Sequence, residues 1–249
     1  MTDPFLSVII PAYNEAGRIG PSLAAIRRYT ASKDFTIEVI VVDDGSCDAM
    51  PSRLREIAAG WPGLRVLRHE PNRGKGYSSR EGALASRGQY LLLTDADLST
   101  PIEEADRLLG LMQSSRADAI AGSRALNRQL TEIRQPWFRE RAGRIFNRMV
   151  RLFTGLKICD TQCGFKLFRR ETTRQAFELQ RVEGFGFDPE LLFLIRRLGG
   201  KILEAPVRWN NDPATRVRLL RDSTRMFAEL VLLRWRAWTG YYPRAPRHP

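Results

Sequence analysis

Tyr90-Leu91-Leu92-Leu93-Thr94-Asp95-Ala96-Asp97-Leu98-Ser99-Thr100-Pro101 is the stretch on which the fold reading turns. It opens as a short apolar run, the mark of a buried strand. The run stops at two carboxylates, Asp95 and Asp97. Once the chain leaves the extended form, both side chains can reach one site. Hard oxygen ligands of this kind suit Mg²⁺ or Mn²⁺. Ser99-Thr100-Pro101 then reads as a helix start, with proline in the first turn. A plainer reading stands beside the metal one: a solvated acidic turn that caps the next helix.

The same unit recurs on either side. Strands are expected over 6–11, 37–42 and 64–67, with a weaker one at 117–121. Helices are expected over 15–29, 49–59, 75–86 and 102–113. Short apolar runs alternating with helices predict an α/β fold, Rossmann-like, with a mostly parallel sheet and helices on both faces. Such sheets bind ligands at the carboxyl ends of their strands. Polar groups sit at those ends here: Tyr13-Asn14-Glu15 after the first strand, Asp43-Asp44 after the second, Asp95 and Asp97 after the fourth.

Each of these turns has two readings. Asp43-Asp44-Gly45-Ser46 is either a strand-ending, helix-capping turn or a nucleoside pocket whose carboxylates accept from a base or ribose. Tyr13 can stack on a base or simply pack. Asn72-Arg73-Gly74-Lys75-Gly76 resembles a phosphate loop but lacks P-loop spacing. Its glycines allow close backbone approach, and Lys75 is read as solvated or turned to a ligand.

The second half differs. A helix over 134–153 carries arginines at 141, 144, 148 and 151 on one face, beside Trp137, Phe138, Ile145, Met149 and Leu152. A strand over 165–168, a helix over 189–198 and a strand over 201–206 follow. A last helix over 217–238 has apolar positions at Leu220, Phe227, Val231 and Trp238. The tail from Tyr241 to the end is read as loose.

The chain has 249 residues and a formal net charge of +12, unevenly spread. Residues 1–124 hold 15 Lys and Arg against 16 Asp and Glu, while residues 125–249 hold 25 against 12. The basic second half calls for an anionic partner: nucleic acid, a phosphorylated substrate or an acidic lipid surface. Cys47, Cys159 and Cys163 make no disulfide framework or zinc spacing, and reduced thiols fit a cytoplasmic protein. Neither a signal peptide nor a transmembrane helix is expected. Contact with a membrane would therefore be peripheral.

Taken together and in order, these segments resemble glycosyltransferase family 2, and within it the dolichyl- or polyprenyl-phosphate sugar transferases. The resemblance spans roughly residues 6–225. It rests on 7–15 (SVIIPAYNE), 41–46 (VVDDGS), 72–76 (NRGKG), 94–97 (TDAD), 122–124 (GSR), 160–166 (DTQCGFK), 187–192 (FDPELL) and 205–209 (APVRW). Residues 160–166 and 207–209 are more similar to the glucosyl than to the mannosyl members.

The resemblance implies a single GT-A domain over 1–240. Residues 1–124 would bind the nucleotide sugar, and 125–240 would face acceptor and membrane through amphipathic helices. Pro11, Tyr13, Glu15, Asp43, Asp44 and Lys75 would hold the donor. Asp95 would contact nucleotide or sugar, and Asp97, with Asp95, would hold Mg²⁺ or Mn²⁺. Arg124, Arg139 and Arg216 would bind the phosphates of donor and lipid, and Asp160 would stand near the reaction centre. Two departures matter. Ser99 replaces a glutamine of the mannosyl members, so a water would take its place on the metal. Thr215-Arg216 replaces a frequent Ser-Lys and keeps the charge.

The implied reaction moves a hexose, glucose from UDP-glucose, onto a polyprenyl or dolichyl phosphate at the cytoplasmic membrane face. A phosphate acceptor is already ionised and needs no general base. One rival is a family 2 enzyme acting on a hydroxyl, with Asp188 or Glu190 as base. Another is a basic nucleic-acid-binding protein without enzymatic activity, which no nucleic-acid motif supports. No nucleic-acid partner is expected, and the sequence leaves the oligomeric state open.

Overall fold

The structure is a computed structural model that describes residues 3–127, 131–133, 137–210 and 219–243. The side chains of 131–133, 137–140, 142 and 219–223 fall outside that description. In chain order the first half runs β1 (Leu6–Ala12), α1 (Ile19–Ala31), β2 (Ile37–Asp43), α2 (Met50–Ala59), β3 (Leu64–Arg68), α3 (Lys75–Ala85), β4 (Tyr90–Leu93), α4 (Glu104–Ser115) and β5 (Ala119–Ser123). The second half runs β6 (Thr131–Ile133), α5 (Trp137–Thr154), β7 (Lys166–Arg169), α6 (Arg170–Leu179), α7 (Phe187–Arg197), β8 (Ile202–Pro206), β9 (Trp209–Asn210) and α8 (Leu219–Trp238).

Among the described residues the main sheet has seven strands in the order β3-β2-β1-β4-β7-β5-β8. All its pairings are parallel except the two that β7 makes with β4 and β5. The order reverses beside β1, between β4 and β2, where α/β sheets leave a crevice for ligands. β6 and β9 form a separate parallel pair.

The continuous apolar runs follow from burial on both faces. Along β1, Val8 and Ile10 point into one core with Ile19, Leu23 and Ile26 of α1, Leu54 of α2 and Leu108 of α4. Ile9, between them, points into the other core with Ala83 of α3, Phe177 of α6 and Leu191 of α7. Val150 of α5 and Leu230 and Leu233 of α8 close that second layer. Leu23→Ala would cost about 2–5 kcal/mol, because the emptied site is walled by strand side chains that cannot collapse.

Several boundaries depart from the sequence reading. α1 starts at Ile19 and not at Glu15, since residues 15–18 form a turn closed by Arg18 N–H to Glu15 O. β5 lies two residues later than expected, because Ser123 pairs with Pro206 at the site end of the sheet. α6 was not anticipated; its buried positions Thr173, Ala176 and Phe177 give only a narrow apolar stripe among charged residues. The antiparallel direction of β7 was not anticipated either.

The apolar positions noted on the last helix are not its core face. Phe227, Val231 and Trp238 are exposed, while Leu230, Leu233 and Ala237 are buried. Leu220 lies outside the described side chains. Tyr242, placed by the sequence reading in a loose tail, is buried and donates its hydroxyl to Glu190. The core contact of that ring outweighs the terminal position. No helix among the described residues is long and apolar enough to cross a membrane.

Candidate active site

The loops leaving β1 and β2 are laced together at the carboxyl edge. Asn14, at φ 55°, takes a hydrogen bond on Oδ1 from Cys47 N–H at 2.8 Å and gives its own N–H to Ser46 Oγ at 2.8 Å. Tyr13 stays exposed at 39 %, its ring available to a flat ligand. Pro11 closes the strand beside it. Glu15 binds the Arg18 guanidinium at 2.6 and 2.7 Å.

The acidic turn after β2 is buried and already occupied by donors. Asp43 accepts from Ser46 N–H at 2.9 Å and from Arg68 at 2.5 Å. Asp44 accepts from Arg73 N–H, Gly74 N–H and Asn72 Nδ2, each at 2.8 Å. It thus shapes the turn that starts α3. A buried carboxylate requires such donors. Both acids therefore have a structural duty in addition to any nucleoside contact. Gly74 sits at φ 112° against the backbone of Glu183, where a Cβ would overlap the carbonyl.

Lys75 opens α3 and, of its two readings, turns inward to the site rather than out to solvent. Its Nζ lies 2.5 Å from Asp95 Oδ1. Burial works against the charge of both groups, yet their mutual attraction wins. Lys75 is raised above the ordinary lysine range, and Asp95 is held below the carboxylate range by Lys75, Lys166 and Arg124. Gly164 makes room for this pair, because a Cβ there would strike the Asp95 carboxylate.

Asp97 has a different setting. Its Oδ1 accepts from Ser99 N–H at 2.9 Å, and its Oδ2 lies 3.8 Å from Arg18 Nη1. Burial and the neighbouring Asp95 push its carboxyl above the ordinary range, against Ser99 and Arg18. An acid in that state is stabilised by a bound cation. Among the described residues no group of three or more acids, histidines or cysteines surrounds one point. A Mg²⁺ shell completed by phosphate oxygens and water needs only one or two carboxylates. Asp97, with an oxygen of Asp95 left by Lys75, fits that requirement.

Arg124 and Asp160 meet at the end of β5. Asp160 accepts from Arg124 Nε and Nη2 at 2.7 and 2.8 Å, and the guanidinium lies over Trp209, 5.3 Å from the ring centroid. Glu204 of β8 holds the turn by accepting Cys159 N–H and Asp160 N–H at 2.7 and 2.9 Å. Asn147 of α5 holds it from the other side, donating to Ile158 O and Cys159 O and accepting from Thr161. Burial opposes ionisation of Asp160, but Arg124 keeps it below the usual range.

Behind Lys75 lies a second pair. Lys166 of β7 is fully buried and donates to Asp188 Oδ1 at 2.6 Å and to Cys163 O. Glu190, two residues further along α7, is equally buried and accepts from Arg181 N–H at 2.9 Å, Val182 N–H at 2.7 Å and Tyr242.

The structure thus brings Pro11, Tyr13, Glu15, Asp43, Asp44, Lys75, Asp95, Asp97, Arg124 and Asp160 to one edge of the sheet. Arg216 and the Arg139 side chain lie outside the described residues. Sequence reasoning passed over Arg18, Asn147, Lys166 and Glu204 as site residues. A lysine inside an apolar strand, as in Lys166-Leu167-Phe168, was the one available signal. Trp209 stands out in the sequence only through the family resemblance.

A carboxylate pair thus stands at one strand end and a fixed guanidinium at another, on the same edge of a mostly parallel sheet. The family model for glycosyl transferase family 2 matches residues 7–177, and the chain belongs to that family. The dolichyl-phosphate beta-glucosyltransferase of Drosophila melanogaster is 38 % identical over 95 % of this chain and 75 % of its own length. That of Saccharomyces cerevisiae is 34 % identical over 96 % and 76 %, and that of Homo sapiens 33 % over 94 % and 76 %. Glucosyl-3-phosphoglycerate synthase of Mycobacterium tuberculosis, solved with UDP, superposes with a TM-score of 0.64 at 22 % identity, over 93 % of this chain and 79 % of that one. A mannosyltransferase of Pyrobaculum calidifontis, solved with GDP-Man and Mn²⁺, gives 0.62 at 20 %, over 98 % and 66 %. These two show the fold. Family membership sets aside the reading of a basic binding protein without enzymatic activity.

Proposed function

We propose that the protein transfers glucose from UDP-glucose, with inversion, to a polyprenyl or dolichyl phosphate on the cytoplasmic face of a membrane. One observation carries the choice of acceptor. Asp188 is held by Lys166, and Glu190 by two backbone N–H groups and Tyr242. Neither is free to deprotonate a hydroxyl, as the rival reading requires. A lipid monophosphate is ionised near neutral pH and asks only for positioning and charge screening.

The geometry supports a role for each site residue. The Tyr13 ring and the Asp43-Asp44 turn line the nucleoside end, with Pro11 and Glu15. Asp97, joined by Asp95, would hold Mg²⁺ or Mn²⁺, whose charge offsets that of the departing diphosphate. Lys75 and Asp95 face the sugar and its β-phosphate. Arg124, fixed by Asp160 and Trp209, presents a planar cation to phosphate oxygens, and Arg139 and Arg216 would join it. A lipid-phosphate oxygen attacks the anomeric carbon from the face opposite UDP. The bond from that carbon to the β-phosphate oxygen breaks, and UDP leaves with the electron pair.

The membrane reading rests on α5 and α8, which pack against each other through Phe153 and Phe227. Their outer sides expose Ile145 and Leu152, then Val231, Trp235 and Trp238. Arg141, Arg144, Arg148 and Arg151 stand exposed beside them. Tryptophans among apolar and basic residues suit an anionic headgroup layer. Free cysteines at 47, 159 and 163 accord with a reducing compartment.

The test is transfer of labelled sugar to polyprenyl phosphate in detergent with Mg²⁺ or Mn²⁺, using UDP-glucose, GDP-mannose and UDP-GlcNAc in parallel. Label in the organic phase from UDP-glucose, lost with EDTA and with Asp97→Ala, is expected. Label that appears only on hydroxyl acceptors would overturn the reading.

A further inference from the structure

Lys75 is the first residue of α3, so its place depends on how the first turn of that helix is closed. The N-cap residue, Gly74, has no side chain to offer the N–H groups of that turn. The acceptor comes from the irregular segment between α6 and α7. Glu183 O accepts from Gly76 N–H at 2.7 Å and from Tyr77 N–H at 3.1 Å. Gln180 Nε2 donates to Gly76 O at 2.8 Å and to Val182 O at 3.1 Å, tying helix and segment together. The approach is close: a Cβ on Gly76 would overlap Val182 O.

That segment is itself held from α7. Arg181 N–H and Val182 N–H both donate to Oε2 of the fully buried Glu190, at 2.9 and 2.7 Å. The other oxygen, Oε1, takes the Tyr242 hydroxyl and lies 3.8 Å from Arg236 Nη1. Hydrogen bonds and two peptide units therefore connect Glu190 Oε2 to the N–H groups of residues 76 and 77. Lys75 stands directly before them, with its Nζ 2.5 Å from Asp95 Oδ1.

Burying a carboxylate is costly, and an apolar side chain would fill the same place among Leu191, Leu192 and Leu194 at less expense of desolvation. An apolar side chain cannot accept from two adjacent N–H groups. Without Oε2 those groups must turn toward water, and Glu183 O moves with them. The first turn of α3 then loses its cap, and the Lys75 ammonium leaves Asp95.

We infer that Glu190 is a positioning residue: through the backbone of 181–183 it caps α3 and sets the reach of Lys75. This rests on the proposed donor site, in which Lys75 and Asp95 face the sugar and its β-phosphate.

The experiment compares Glu190→Met with Glu190→Gln and runs a double-mutant cycle between Glu190→Met and Lys75→Met. The readouts are kcat and calorimetric affinity for UDP and for UMP, which lacks the β-phosphate. Glu190→Met is expected to lower kcat by about 100-fold, the cost of a misplaced group. Its UDP affinity should fall by about tenfold, the loss of one charge-assisted contact, with UMP affinity unchanged. Glu190→Gln can place its amide oxygen where Oε2 stood, and is expected to restore kcat and UDP affinity. The double variant should bind UDP no more weakly than Lys75→Met alone. Losses that multiply, equal weakening of UDP and UMP, or wild-type kcat in Glu190→Met would overturn the inference. Should Glu190→Met not fold, Glu190→Asp withdraws the acceptor by one methylene and keeps the charge, and is put through the same cycle with the same outcomes. Wild-type protein that binds UDP but transfers nothing to lipid phosphate would overturn the acceptor reading instead. The UDP and UMP arms need no acceptor and still decide the role of Glu190.

Discussion

Arg124 and Asp160 act as one unit: the carboxylate accepts from Nε and Nη2 of the guanidinium at 2.7 and 2.8 Å, and from the Arg124 backbone N–H at 3.0 Å. The acid fixes the plane of the arginine from the edge, and Trp209 fixes it from the face. A phosphate bound there, as proposed, would meet a cation whose orientation is set beforehand, which lowers the entropy lost on association.

That unit predicts a pH dependence of stability. The folded-state pKa of Asp160 lies below its unfolded value of about 3.9. The contribution of the pair is therefore complete above about pH 4 and is lost as pH falls through the lower folded value. Asp160→Asn should cost about 3 kcal/mol at neutral pH, the low end for a broken buried pair, because the Arg124 side chain is 29 % exposed. Urea unfolding across a pH series should show the gap between wild type and variant narrowing in acid. A constant gap would mean that the pair carries no such linkage.

Gly164→Ala separates site geometry from fold. A Cβ at this position overlaps the Asp95 carboxylate and must displace it from Lys75. We expect kcat to fall by about 100-fold and binding of UDP with Mn²⁺ to weaken, while the thermal midpoint stays near wild type. Wild-type turnover in this variant would show that the Asp95 position does not matter.

The outer face of α8 predicts lipid binding. Trp235→Ser/Trp238→Ser removes two rings that are 56 % and 83 % exposed, so the thermal midpoint should not move. Co-sedimentation with anionic vesicles should fall by about tenfold or more, since each buried ring contributes on the order of 1.5–3 kcal/mol. Arg148→Glu/Arg151→Glu should weaken binding to anionic but not neutral vesicles. Equal loss on both vesicle types would assign the arginines another role.

Tyr242→Phe tests whether the chain end is part of the fold. Its hydroxyl is the donor to a fully buried Glu190 carboxylate. Losing a hydrogen bond to a charged group costs about 1.5–3 kcal/mol. The loss should show in urea unfolding, with kcat unchanged below the transition. A neutral effect would mean that the two backbone donors at Arg181 and Val182 satisfy Glu190 by themselves.

Much of this was readable in the sequence, for a physical reason. Strands buried on both faces must be apolar throughout, so β1, β2 and β4 declare themselves as short runs. The polar residue that ends each run is placed at the ligand edge by parallel topology alone. That is why the sequence alone places Tyr13, Asp43, Asp95 and Asp97 at that edge. The basic second half, too, is a property of composition. What could not be read were side chains that pair across distance. Lys166 and Asp188 lie 22 residues apart, and Asp44 meets its loop 28 to 30 residues on.

The alternation of strands and helices, the acidic strand ends and the charge asymmetry are legible from residue order alone, because each depends only on local period and residue type. Long-range packing set the antiparallel course of β7 between β4 and β5. That insertion carries Lys166 behind the site and sets Gly164 against Asp95. A strand's direction and neighbours depend on which apolar faces close the core with least void, and no local pattern records that choice. It also decided that α8 turns Leu230 and Leu233 inward and leaves Trp235 and Trp238 outside. Both faces of that helix are apolar enough to pack, and only the shape of the cleft between α5 and α7 selects between them.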